Sequence, residues 1–124
     1  MSRVHNIAKG DIKTALKNTD EIELIVTGRV SGRKISRPVW FVQEADTLYL
    51  LPVAGSDTEW FKNVLHNPTL TLAAGGITWT AKAKPITDPA KVGEVVEKFR
   101  AKYGAGNVKK YYSKFDVAGE VPLT

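Results

Sequence analysis

From Glu21 to Thr27 apolar and polar residues alternate, with Ile22, Leu24 and Val26 on one side, Glu21, Glu23 and Thr27 on the other, and Ile25 the exception. Period two predicts a first strand. Gly28 and Gly32 follow and bracket a tight connection, where glycine can take positive φ and leave backbone N–H groups uncovered. A second strand is expected from Lys34 to Val42, with Pro38 marking an edge or a bulge because it cannot donate to a ladder. Val39, Trp40, Phe41 and Val42 are apolar on both faces, and so is a third predicted strand from Thr47 to Val53, beyond a polar turn at Gln43 to Asp46. Two neighbouring two-sided strands suit a closed or nearly closed barrel with an outer covering. Thr69 to Ala73 and Ile77 to Lys84 alternate again around Gly75-Gly76, a hairpin signal that puts Leu70, Leu72, Ile77, Trp79, Ala81 and Ala83 inward.

Helical spacing appears in four places. Asp11 can cap a short helix to about Asn18 through Ile12, Ala15 and Leu16. Ser56 and Glu59 have capping-box spacing at the start of a helix that reaches Asn67, carries Trp60, Phe61, Val64 and Leu65, and stops at Pro68. Asp88 and Pro89 open the longest helix, with Val92, Val95, Val96, Phe99 and Tyr103 on one face and Gly104 at its end. Asn107 to Phe115 is a further short helix, and Val117 to Leu123 a last strand. The sum is five or six antiparallel strands with three or four helices, one domain over residues 1–124.

Charge narrows the partners only slightly. A net charge of +5 favours an anion, whether nucleic acid, acidic membrane or phosphorylated cofactor. With no cysteine, disulfides and thiolate metal sites are excluded. Residues 1–10 lack the apolar stretch of a signal peptide, and no run approaches the length of a spanning helix, so a cytoplasmic protein is expected.

Protein-borne catalytic chemistry is sparse. His5 and His66 lie far apart without metal-ligand spacing, the serines lack a nucleophile-elbow context, and neither phosphate-loop nor dinucleotide glycine motif is present. Reactivity therefore points to a bound cofactor, with the protein supplying position and electrostatics. One stretch is suited to that: Arg29, Arg33, Lys34 and Arg37 form a basic turn without an acid among them, joined directly to Trp40 and Phe41. Read without a relative, the cations are a solvated turn and the aromatics are core.

Three motifs change that reading. T-G-R-x-S-G at 27–32, R-P-V-W-F-V at 37–42 and W-F-K-N-V-L-x-N-P at 60–68 occur in an order and spacing that resembles the deazaflavin-dependent nitroreductases, a branch of the flavin-binding split β-barrel superfamily. The resemblance implies a mainly β, α+β fold, a six-stranded antiparallel split β-barrel like that of FMN-binding proteins, with three to four peripheral helices. It also implies coenzyme F420, a deazaflavin with a phosphate and an acidic tail. By position, Arg29, Ser31 and Gly32 match the anion turn, Pro38, Val39 and Trp40 the ring-lining segment, and Trp60 and Asn63 the helix beside the cofactor. Tyr111 and Tyr112 fall near tyrosines that close over the substrate, which makes them the candidate orienting or proton-donating groups.

The chain departs from that pattern at Val30, where a basic residue is common, and at Pro52, Val53 and Ala54, where Ser-Lys-Gly is frequent. Two tail contacts are thereby lost, leaving Arg33, Lys34 and Arg37 as nearby replacements, or a less acidic ligand such as FMN. The expected activity is hydride transfer from reduced F420 to a nitro compound, quinone or enone. The alternatives are an FMN-binding split-barrel flavoprotein, with a homodimer holding the ring at its interface, and a non-catalytic module that uses the basic turn on single-stranded nucleic acid. No nucleic-acid partner is expected under the first two.

Overall fold

The computed structural model describes residues 12–124. Asp11, the expected cap of the first helix, and His5 lie outside the described residues. Helix α1 covers residues 12–17 and buries Ile12 and Leu16 in the main core.

Among the described residues, eight strands form two antiparallel four-stranded sheets. The first sheet has the order β2 (Lys34–Val39), β1 (Ile22–Thr27), β5 (Thr69–Ala74), β6 (Ile77–Lys82). The second has β3 (Val42–Glu44), β4 (Thr47–Leu50), β8 (Ala118–Pro122), β7 (Lys84–Ile86). The fold is thus a mixed α/β arrangement whose two sheets are not closed into the expected six-stranded barrel. The difference arises at two breaks. The strand expected over 34–42 divides at Trp40 and Phe41, and the one expected over 77–84 divides at Ala83, so each passes from the first sheet to the second.

Both breaks have a physical cause. At Phe41 the backbone N–H donates to Tyr103 Oη at 3.1 Å, and the carbonyl accepts from Lys102 Nζ at 2.8 Å. At Ala83 the N–H donates to the Pro68 carbonyl at 2.9 Å. A backbone group satisfied from outside leaves the ladder without penalty. Trp79 Nε1, on β6, donates to the Pro122 carbonyl of β8 at 2.9 Å and ties the sheets together.

Local signals account for the rest. Ile22, Leu24 and Val26 are buried as alternation requires, and Gly75 and Gly76 take φ of 55° and 81° in the β5–β6 turn. Pro38 sits in β2, an edge strand. Helix α3 (Pro89–Tyr103) starts at Asp88, whose Oδ2 accepts from the Lys91 N–H at 3.1 Å, and ends at Gly104 with φ 95°. Helix α4 (Ala105–Tyr111) begins and ends earlier than expected. Two aromatic-rich clusters make up the core: one lies between the sheets around Phe41, Phe61 and Leu72, the other under α3 and α4 around Phe99, Val108 and Tyr112.

The third strand stops at Leu50 instead of Val53, because the chain turns through Pro52 into a 3-10 turn at Gly55–Asp57. That turn also overrides the expected capping box. Ser56 gives its N–H (2.9 Å) and its hydroxyl (2.5 Å) to Asp116, so helix α2 (Glu59–His66) starts at Thr58 instead. Trp60, Phe61 and Val64 of α2 are buried, but Leu65, expected among them, is 55% exposed. No helix among the described residues is long and apolar enough to cross a membrane.

Candidate functional site

The break after β2, the loop after β4, the start of α2 and the end of α4 meet around a cavity of about 530 Å³. Its walls include Arg37, Pro38, Val39, Trp40, Val53, Trp60, Tyr111 and Tyr112, eight of the residues singled out in the sequence. Glu21, Leu51, Thr58 and Glu59 complete it and were not singled out as site residues. The size and the mix of aromatic walls with a few polar groups suit a small organic ligand.

A smaller cavity of about 250 Å³ adjoins it and shares Arg37, Glu59 and Trp60. Gly28, Arg29, Ser31 and Asn63 line this second space, as does Val30, which is 94% exposed. The turn is closed by hydrogen bonds from Gly28 N to the Arg33 carbonyl at 2.7 Å and from Gly32 N to the Gly28 carbonyl at 2.9 Å. Gly32 takes φ 73°; Gly28 does not share that conformation, and a Cβ there would press on Ser31 Oγ at 3.0 Å.

Not every expected residue reaches either space. Gly32, Arg33, Lys34 and Pro52 line neither cavity. Lys34 donates to Thr27 Oγ1 at 3.0 Å across the β1–β2 pair, its side chain on the face opposite Ile35, which lines the smaller cavity. Pro52 is buried in the turn after β4.

Arg29 is already engaged. Its backbone N–H and Nη1 both donate to Asn63 Oδ1, at 3.0 and 2.9 Å, and Nη2 donates to Glu59 Oε1 at 2.9 Å. The Arg29 guanidinium, through that hydrogen bond and its charge, holds the Glu59 carboxyl below the usual carboxylate range. Glu59 follows from the helix motif, being the residue just before Trp60, but its spacing from Ser56 pointed to a cap.

The aromatic wall also has its own support. Trp40 stacks on Tyr103, with ring centroids 4.3 Å apart and planes 8° apart, and meets Tyr111 edge-on at 5.6 Å. One indole face is thus covered by Tyr103, Tyr112 lies tilted at 6.0 Å, and Trp40 forms part of the cavity wall. Tyr112 is buried and lines the cavity. Burial pushes that phenol well above its ordinary pKa, so it stays protonated across the neutral range.

Solved structures share this architecture. An F420-H2-dependent reductase, FDR-A, aligns with a TM-score of 0.65 at 19% identity, over 82% of this chain and 93% of that one. A pyridoxamine 5'-phosphate oxidase candidate from Listeria innocua aligns at 0.68 and 15%, over 91% and 90%. HutZ, the heme storage protein of Vibrio cholerae, aligns at 0.67 and 15%, over 93% and 89%. At these identities the likeness shows the fold alone, a split-barrel-like one. A search of curated proteins finds no match. Residues 13–118 match the family described as uncharacterized protein conserved in bacteria (DUF2255), and the chain belongs to it.

Proposed function

We propose that this protein is an oxidoreductase that binds a flavin-type cofactor in the larger cavity and passes a hydride from reduced F420 to a small nitro compound, quinone or enone. The observation that carries this reading is the aromatic-walled cavity of about 530 Å³, which shares Arg37, Glu59 and Trp60 with a smaller adjoining space that has arginine on its wall. A planar ring and an anionic arm on one ligand have that layout. The similarity of the fold to a reductase that uses F420-H2 adds support.

The bound cofactor supplies the hydride. Pro38, Val39 and Trp60 offer apolar surface to a ring, and Arg37 offers a cation at the junction of the two spaces. Tyr112 lines the cavity in its protonated form and is the candidate to deliver a proton to an acceptor that has received the hydride. Tyr111, 54% exposed and edge-on to Trp40, stands where an acceptor enters. Holding ring and acceptor together accounts for most of the rate in this scheme.

FMN is the second reading, favoured by the Arg29–Glu59 ion pair, which already engages one of the two arginines on the smaller cavity's wall. Parallel fluorescence titrations with F420, FMN and haem, followed by oxidation of reduced F420 with a nitro acceptor, test both. Micromolar binding of F420 with turnover supports the first; a yellow protein that ignores F420 supports the second. Failure of both F420 and FMN to bind would sink the proposal.

A further inference from the structure

Arg29 has two kinds of partner. Asn63, 4% exposed, takes two hydrogen bonds from it and fixes the guanidinium in place. Glu59 takes the third from the opposite end, and its side chain is 71% exposed. The buried partner positions the cation, while the exposed one can be exchanged. Lys62 Nζ lies 3.6 Å from the other Glu59 oxygen, so whatever replaces that carboxylate meets a second cation. Glu59 lines both cavities.

We propose that Glu59 is an internal counter-anion that occupies the anion seat beside Arg29, so that a ligand phosphate binds by displacing it. This rests on the flavin-type reading for the identity of the ligand, but the competition concerns Arg29 alone. The displaced carboxylate stays tethered at the start of α2, where Lys62 remains its neighbour, and as an exposed carboxylate it keeps its charge at neutral pH. It therefore repels further anionic groups along the same arm. Glu59 thereby sets the cost of seating an anion beside Arg29, a cost that the phosphate of F420 or of FMN would have to meet.

Glu59→Gln tests this without disturbing Arg29, which Asn63 continues to hold. The variant should bind FMN roughly three- to tenfold more tightly than the native protein, leave riboflavin unchanged, and lose the gain when combined with Arg29→Gln. Equal changes for FMN and riboflavin, or none, would overturn the proposal. Pyrophosphate, followed through the Arg29 amide resonance, supplies a reading independent of flavins. Tighter pyrophosphate binding in Glu59→Gln supports the competition even where no flavin binds, and equal affinity in the two proteins overturns it.

Discussion

The indole of Trp40 lies parallel to the phenol of Tyr103 at a centroid distance of 4.3 Å, and the hydroxyl of the same tyrosine accepts from the Phe41 N–H at 3.1 Å. One side chain from the last turn of α3 thus supports the cavity wall and satisfies the break between β2 and β3. Tyr103→Phe removes only the hydrogen bonds and should cost about 1 to 2 kcal/mol. Tyr103→Leu also removes the stack, and should cost roughly 1 kcal/mol more and shift the Trp40 emission. Urea denaturation followed by fluorescence measures both. Equal losses in the two variants would mean that the stack contributes nothing.

Burial pushes the Tyr103 phenol up to about 12. In the unfolded chain it ionises near 10. A raised folded-state pKa gives stability that is present in full below pH 10 and lost as the pH climbs through about 12, because the unfolded state releases its proton first. With a discount for partial exposure, the loss should be about 1 to 2 kcal/mol. Native protein should weaken over that window more steeply than Tyr103→Phe, and parallel denaturant curves at pH 9 and 11 would show it. Matching slopes would remove Tyr103 as the source.

Elements fixed by their own neighbours were legible in the sequence. The alternation of β1, the glycine pair at 75–76 and the Asp88, Pro89 and Gly104 punctuation of α3 all place their elements within a residue or two. The breaks at Phe41 and Ala83 were not legible, because the groups that satisfy them come from distant segments; Tyr103 lies 62 residues beyond Phe41. The same limit applies to the site. Motif spacing brought Arg37, Trp40, Trp60 and Tyr112 to one cavity, yet Lys34 points across the β1–β2 pair, and strand alternation decides that more than charge does. Ser56 was misread because Asp116, 60 positions away, competes for its hydroxyl.

Ala45 adopts φ 54° in the two-residue turn between β3 and β4. A Cβ in that region is strained by about 1 kcal/mol, which glycine relieves at some cost in unfolded-state entropy. Ala45→Gly should therefore be neutral to about 1 kcal/mol more stable. The adjoining Asp46 carbonyl accepts from Leu123 N at 2.7 Å, so amide exchange at Leu123 should slow in parallel. Clear destabilisation on denaturation would show that the turn relaxes another way.

Gly55 holds φ 56°, and a Cβ there would collide with Asp116 Oδ1. That carboxylate fixes the 3-10 turn through Ser56 and meets Lys114, whose Nζ lies 3.1 Å from Asp57 Oδ2. Together these contacts hold the segment after α4 against the loop that carries Val53. Gly55→Ala should cost about 2 kcal/mol or more, from strain and the lost carboxylate contacts together. Adding Asp116→Ala should recover none of the φ strain, so the double variant should remain less stable than Asp116→Ala alone by about 1 kcal/mol. Thermal melts of the four proteins make the cycle, and complete rescue would refute the strain component.

Arg37 is the cation shared by the two cavities, and its role in the fold is slight: Nη1 donates to the neighbouring Ser36 carbonyl at 3.0 Å, and the residue is exposed. Its replacement should therefore separate binding from stability. Arg37→Ala should leave the denaturation midpoint within about 0.5 kcal/mol of native. The same change should weaken FMN or F420 by roughly ten- to a hundredfold, the value of one charge-assisted hydrogen bond. Riboflavin, which has no phosphate, should respond less. Tyr112→Phe should behave in the opposite way: it keeps the ring in the wall and removes the one hydroxyl, so cofactor affinity should hold while turnover of reduced F420 falls about tenfold or more. An Arg37→Ala protein with undiminished affinity would place the anionic arm elsewhere, and a Tyr112→Phe protein at full rate would leave proton delivery to water.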